Sequence, residues 1–414
     1  MNNRFKKIAV VSPSAPPLGG GGITSSHYNL YKALKDHGYE VRMFTFGDNN
    51  AKQQIENDII RRGTPPIIAK AIRLMTGLYF KCIDRSKISY QLADIVACSI
   101  GSLRLNKPLK QFNPDVLILP DQGCPGFFIS RQRNCMTILC SHHNPMRFIN
   151  ETLWHAHSEK DAHLAVKIEN RALQKIDKVI CPSRYMADVF RKTYRFDGPL
   201  EVIPNIVDRN LISSIRINDV RRILSLPADS ALIYIPSAGS EFKGSRYIID
   251  IVRRLAKHTK DEIGFYLSGD LDSHMIQKLS SISDNVKIYA PGHLSFHENI
   301  ALVKACSFAI SPTLIESFGM AILEAVICGL PVVTFNVGGT SEIIEPGENG
   351  FLAPYLDFEK LIQFSIKLLD REYRSNMHTK TVALMSRKSH TDNALDDLLS
   401  CIGSEHPRVC RSSI

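Results

Sequence analysis

The sequence predicts an α/β protein of two domains, each a doubly wound parallel sheet, facing each other across a central cleft. Three observations carry this expectation. The chain has 414 residues, more than one hydrophobic core usually organises. Short apolar runs of strand length alternate with amphipathic runs of helix length, the pattern of a parallel sheet covered on both faces. The alternation then restarts after a joint near 205–225. The reading is a first domain over 1–210, a second over 211–388 and a polar tail over 389–414.

The elements follow in order. Ile8–Val11 is a strand, and a Pro/Gly loop runs from it through Gly22. Ile23–His37 places Leu30, Leu34 and neighbouring apolar residues on one helical face, and Gly38 follows as a C-cap. Val41–Phe46, Asp115–Leu119 and Met136–Ser141 are strands. A helical tract over Ser158–Ile176 precedes the strand Lys178–Cys181, the helix Arg184–Tyr194 and the strand Leu200–Ile203. The second half begins with the strand Ala231–Ser237, the turn Gly239–Gly244 and a helix over Ser245–Thr259. Strands at Ile263–Ser268 and Val286–Tyr289, a helix at His297–Ala305 and the strand Phe308–Ser311 come next. Pro331–Phe335 and Phe351–Ala353 are the last strands, and 357–388 is helical.

Hydrophobic residues make up 44% and charged residues 22% of the chain, the balance of a globular protein. No apolar run approaches the ~20 residues that span a bilayer. The apolar run at Ile8–Val11 is too short for a signal-peptide core, so the expected location is the cytoplasm. Ten scattered cysteines without a CxxC pair fit reduced thiols. Charge is uneven: residues 1–210 hold 30 Lys and Arg against 18 Asp and Glu, a net +12, while the remainder nets −2. From Ile67 to Lys81, the apolar residues Ile67, Ile68, Ala71, Ile72, Leu74, Met75, Leu78, Tyr79 and Phe80 interleave with Lys70, Arg73 and Lys81. Such a stretch is either a basic amphipathic helix on the inner face of a membrane or a helix packed into the core with a solvated face. No recognisable nucleic-acid module accompanies the charge, so no nucleic acid is expected as partner.

The stretch from Glu316 to Glu324 is chemically the densest. It sets two carboxylates eight residues apart around Gly319, with an apolar run, Met320 to Ile327, behind the turn. A glycine turn at a helix start leaves the amides of Ser317, Phe318 and Gly319 open to an anion or a hydroxyl. Glu324 stands in the apolar run, where a carboxylate needs a partner. Either it caps the helix or meets a lysine, or it accepts the two hydroxyls of a ribose.

This arrangement, with Val337-Gly338-Gly339 and Glu342 downstream, resembles the donor site of the retaining glycosyltransferases of family 4, which share the GT-B fold of two Rossmann-like domains. The resemblance covers nearly the whole chain. Ser12-Pro13 through Gly19-Gly20-Gly21-Gly22 resembles the family's loop after the first strand, which approaches donor phosphates and acceptor. Lys243-Gly244 resembles the pair whose lysine faces the diphosphate. Ser141-His142-His143-Asn144 resembles the segment that places a histidine near the sugar, with His142 favoured by the strand spacing. Pro182-Ser183 and Pro204-Asn205-Ile206-Val207-Asp208 resemble segments before the hinge, and no chemistry is assigned to Pro204 or Asn205. Two positions depart: Ile206 replaces the usual glycine, and Ala238 stands where an arginine is usual.

The resemblance implies a retaining glycosyltransferase with a nucleotide-sugar donor, UDP- or GDP-linked, and a glycan or lipid-linked acceptor in surface polysaccharide or glycoconjugate synthesis. Glu324 would hold the ribose. Glu316, Ser317, Phe318 and Gly319 would hold the sugar, and Lys243, Gly20 and Gly21 the diphosphate. No cofactor or metal is expected. Asp270-Leu271-Asp272 and the pair His293 and His297 have metal-ligand spacing, but a turn and a helix start at Ser295 account for them. Ala238 motivates a second reading, a non-catalytic protein on the same fold that binds a nucleotide-sugar or a glycan.

Overall fold

The structure is a computed structural model that describes residues 7–48, 58–83, 91–150, 158–387 and 392–403. It divides into two compact units, one of residues 1–206 with 391–414 and one of residues 207–390.

The first unit is built on a seven-stranded parallel sheet in the order β3-β2-β1-β4-β5-β6-β7. Its strands are β1 (Lys7–Ser12), β2 (Glu40–Thr45), β3 (Ile59–Arg61), β4 (Val116–Pro120), β5 (Met136–Cys140), β6 (Lys178–Cys181) and β7 (Leu200–Val202). The central strands are buried on both faces, which is why they read as continuous apolar runs. Ile8, Val10, Ile118 and Ile138 face one core, and Ala9, Val11, Leu117 and Leu119 face the other.

The second unit has a six-stranded parallel sheet in the order β10-β9-β8-β11-β12-β13. Its strands are β8 (Leu232–Ile235), β9 (Ile263–Leu267), β10 (Val286–Tyr289), β11 (Phe308–Ser311), β12 (Val332–Phe335) and β13 (Gly350–Ala353). In each unit the chain winds one way from the first strand, then returns to its other side. The direction reverses between β1 and β4, and between β8 and β11. Loops leaving the C-terminal ends of strands at such a reversal splay apart, which makes the opening there the natural ligand position of a doubly wound sheet.

Two sequence readings need correction. The tail is not wholly polar coil: Asp392–Gly403 is a helix. Ala394, Leu395, Leu398, Cys401 and Ile402 lie in the same core as β1 and β4. The buried Lys178 ammonium donates to the Cys401 carbonyl. The helix covers the sheet's face, and its Asp and Ser residues hid the apolar stripe. Residues 404–414 lie outside those described. The 357–388 tract is helical as read, in two helices, Phe358–Lys367 and Arg371–Arg387. The basic stretch forms the helix Pro66–Ile83, but a core-packed face does not account for it, because Ile67, Leu74, Met75 and Leu78 are exposed. The side chains of Arg73, Phe80 and Lys81 lie outside those described.

Candidate functional site

In the second unit, the loops after β8 and β11 flank the sheet's reversal. The loop after β8 closes in a single 3-10 turn, Glu241–Lys243, that ends on Gly244 at φ 81°. A Cβ on Gly244 would lie 2.1 Å from the Pro312 carbonyl oxygen, so glycine lets the two loops touch. The Leu314 amide donates to the Phe242 carbonyl at 2.9 Å, locking them together. Lys243 is thereby brought to Glu316, with Nζ 2.6 Å from Oε2. The other Glu316 oxygen accepts from the Ser317 amide at 3.1 Å. The sequence assigned Lys243 and Glu316 to different parts of a donor; the structure holds them as an ion pair.

Gly319 caps the helix Met320–Ile327 at φ 110°, without a side-chain cap or an acidic residue in the first turn. The Val337-Gly338-Gly339 segment lies directly against this turn. A Cβ at Gly338 would fall 1.7 Å from the Glu316 carbonyl oxygen, and one at Gly339 would fall 2.8 Å from the Ser317 carbonyl oxygen. These glycines are required by backbone meeting backbone. Phe318 is buried in the unit's core and anchors the turn.

Glu324 lies one turn inside the helix. Its surroundings are apolar, and removal from water raises its carboxyl to about 7. The residue retains some exposure. Among the described residues no lysine pairs with it and no donor reaches its carboxylate. Among the described residues, then, neither a helix cap nor a lysine is its partner, and the carboxylate is open to a donor from a ligand.

Arg246, a candidate replacement for the arginine missing at Ala238, pairs with Glu241 at 3.0 Å. Ala238 itself is fully buried. Asp272 caps the helix Ser273–Ser280 by accepting from the Met275 amide at 2.7 Å. Ser295 and Glu298 form a capping box at the helix Phe296–Val303, between His293 and His297. Both metal-like spacings therefore have a local structural use.

In the first unit the corresponding reversal gathers the loops after β1, β4 and β5. A buried Asp48–Arg61 ion pair ties down the loop after β1: Asp48 accepts from the Ala15 amide, and Arg61 donates to the Ala15 and Pro16 carbonyls. Beyond this anchor Gly20 and Gly21 are exposed, and Gly21 opens the helix Gly22–Asp36 at φ 106° without a side-chain cap.

His142 is buried at the end of β5. Its Nε2 stands 2.8 Å from Asn205 Oδ1, which also accepts from Ser26 Oγ at 2.8 Å. Burial lowers the His142 pKa, and it lowers that of neighbouring His27 to about 3, so both rings are neutral near pH 7. Neighbouring His143 faces the Gln91 side chain, 2.7 Å away. Sequence reasoning gave Asn205 no role, yet it orients His142. Asp121, at the end of β4, was also missed. Its Oδ2 accepts from Ser141 Oγ at 3.0 Å and from the His143 amide at 2.8 Å, fixing the histidine loop. Position at a strand's C-terminal end was the available signal for Asp121. Nothing local marks Asn205.

Asp121 carries a testable pH effect. Burial raises it from 3.8 to about 7, and nearby Glu169 rises from 4.5 to about 8. Between those limits the folded unit keeps protons that the unfolded chain has released. Its stability therefore falls as pH rises from about 4 toward 8. Urea midpoints measured across that range should drop in the parent and drop less in Asp121→Asn with Glu169→Gln.

The chain places Lys243, Glu316, Ser317, Phe318, Gly319 and Glu324 around one reversal, and Gly20, Gly21 and His142 around the other. Such paired doubly wound units define the GT-B class of glycosyltransferase. Matches to known proteins place the chain within that class. Residues 20–211 match Glycosyltransferase Family 4, and residues 230–371 match Glycosyl transferases group 1. The chain belongs to the family 4 type of glycosyltransferases. An uncharacterized glycosyltransferase of Methanocaldococcus jannaschii is 23% identical over 355 residues, covering 85% of this chain and 86% of its own. Sucrose-phosphate synthase from Thermosynechococcus elongatus superposes with TM-score 0.71 at 19% identity, over 96% of this chain and 98% of the other. Anabaena HepE, solved in complex with UDP and glucose, superposes with TM-score 0.69 at 18% identity, over 97% of this chain and all of the other.

Proposed function

We propose that the protein transfers a sugar, with retention of anomeric configuration, from a UDP- or GDP-sugar to a hydroxyl of a glycan or lipid-linked acceptor. The setting is surface polysaccharide or glycoconjugate synthesis in the cytoplasm, with peripheral association at the inner membrane face. The observation that carries the reading is Glu324, an open carboxylate in the apolar helix that follows the turn of the Lys243–Glu316 pair. A ribose diol supplies the two donors it lacks.

In this scheme Lys243 leaves part of its pairing with Glu316 to meet the diphosphate, and no metal is assigned a role. Glu316 and the amides of Phe318 and Gly319 take the sugar hydroxyls. The bond from the anomeric carbon to the diphosphate oxygen breaks with oxocarbenium character, and Lys243 stabilises the charge left on the leaving group. The acceptor oxygen bonds to that carbon from the same face and passes its proton to a phosphate oxygen. No protein nucleophile is used. Gly20, Gly21 and His142 keep the roles the family resemblance gives them. UDP complexes of HepE support a nucleotide-bound donor.

Proton NMR of slow UDP-glucose hydrolysis tests the stereochemistry. The account predicts that α-glucose appears before mutarotation; first appearance of β-glucose would contradict retention. The second reading, a non-catalytic binding protein, rests on Ala238. Nucleotide binding without release of sugar to any acceptor or to water would favour it.

A further inference from the structure

The helix Pro66–Ile83 carries apolar side chains on the side that faces solvent. Ile67 is 85% exposed, Met75 70%, Leu74 67% and Leu78 60%. At about 100° per residue these positions, with exposed Ile68 and Ala71, share one face of the helix. Ala69, Ile72 and Thr76, half-buried, share another, and the helix packs against Gln91–Arg104. The inward contacts are thus made without the outer stripe. An apolar stripe this long on an exposed helix marks an interaction surface.

Charge selects the occupant. The helix contains Lys70, Arg73 and Lys81 and no acidic residue, within a half of the chain that nets +12. Lys70 is exposed. A second copy would bring like charges together. A convex helical ridge needs a complementary groove to dock on a protein, but none to sink into the interface of a bilayer, where apolar side chains enter the acyl boundary and cations meet anionic headgroups. No helix among the described residues is long and apolar enough to cross a membrane.

We infer that the exposed face of Pro66–Ile83 is a docking surface for anionic lipid bilayers. The inference names the element behind the peripheral association proposed above and rests on that reading. It would place the glycosyltransferase at the surface where a lipid-linked acceptor resides.

The test is flotation of the full chain with vesicles of equal parts phosphatidylglycerol and phosphatidylcholine, against vesicles of phosphatidylcholine alone, without donor or acceptor. The parent should float with the anionic vesicles only, less so at high salt. Leu74→Ser with Leu78→Ser should weaken that binding by about tenfold or more, because the stripe supplies the inserted apolar area. Lys70→Glu should weaken it through charge alone and serves as the independent variant. All variants should keep the parent's thermal shift with UDP or GDP, which separates failure of docking from failure of the transferase reading. Absence of flotation, or flotation unchanged in both variants, would overturn the inference. So would a concentration-dependent dimer abolished by the Leu74 and Leu78 changes.

Discussion

Glu316→Gln is expected to reduce transfer about 10²–10³-fold, the effect of removing one group preorganised toward a transition state. The change keeps the side chain's size. It removes the charge that holds Lys243 at 2.6 Å and leaves one amide oxygen where two carboxylate oxygens serve Lys243 and the Ser317 amide. The pair is partly exposed, with side-chain exposures of 32% and 14%, so its loss should cost the fold less than about 1 kcal/mol. The expected signature is therefore a collapse of kcat with an almost unchanged melting curve. Lys243→Met should produce a similar loss. The double variant should lose far less than the product of the two, since the residues act through one contact. Independent, multiplying losses would show that they serve separate steps.

The second large effect is expected at Gly338. An alanine there would set its Cβ 1.7 Å from the Glu316 carbonyl oxygen, and φ is +58°. Backbone conformation alone costs about 1–2 kcal/mol. The clash falls on main chain, so relief requires moving the Glu316–Gly319 turn. Gly338→Ala should lower stability by roughly 3 kcal/mol or more and abolish nucleotide binding together. Gly347→Ala is the control: φ is +84°, but no atom lies within 4 Å of the added Cβ. It should show the conformational cost only and keep binding, as read by urea unfolding and by nucleotide-induced melting shifts.

The contrast between these glycines also shows what the sequence could reveal. Gly319 was readable because its turn and the Met320 to Ile327 run are contiguous. Gly338 could be located near the site by motif, but its contact with Glu316 depends on β11 and β12 lying side by side. The parallel strands were legible because burial on both faces makes them continuous apolar runs. The three-residue strand β3 was too short to show any period. The helix Asp392–Gly403 was missed because its apolar stripe is interspersed with Asp392, Asp396 and Asp397, and its partner sheet is hundreds of residues away. Asn205 and Ser26 meet His142 from opposite ends of the first unit, a relation that no local spacing encodes.

Glu324 differs from all of these. It was singled out as a carboxylate in an apolar helix, and no donor among the described residues reaches it. A partly buried carboxylate in apolar surroundings costs stability when no donor meets it, so the ligand-free protein should tolerate or gain from Glu324→Ala.

The most direct measurement is the melting temperature with saturating UDP, GDP, ADP and their common sugar conjugates, for the parent and for Glu324→Ala. A ligand at 100 times its Kd adds about 2.7 kcal/mol to the folded state. The account predicts a rise of several degrees with a uridine or guanosine nucleotide in the parent, and none in Glu324→Ala, whose own melting temperature is equal or higher. A shift of the same size in both proteins, or none with any nucleotide in the parent, would contradict a nucleotide-sugar site built on Glu324.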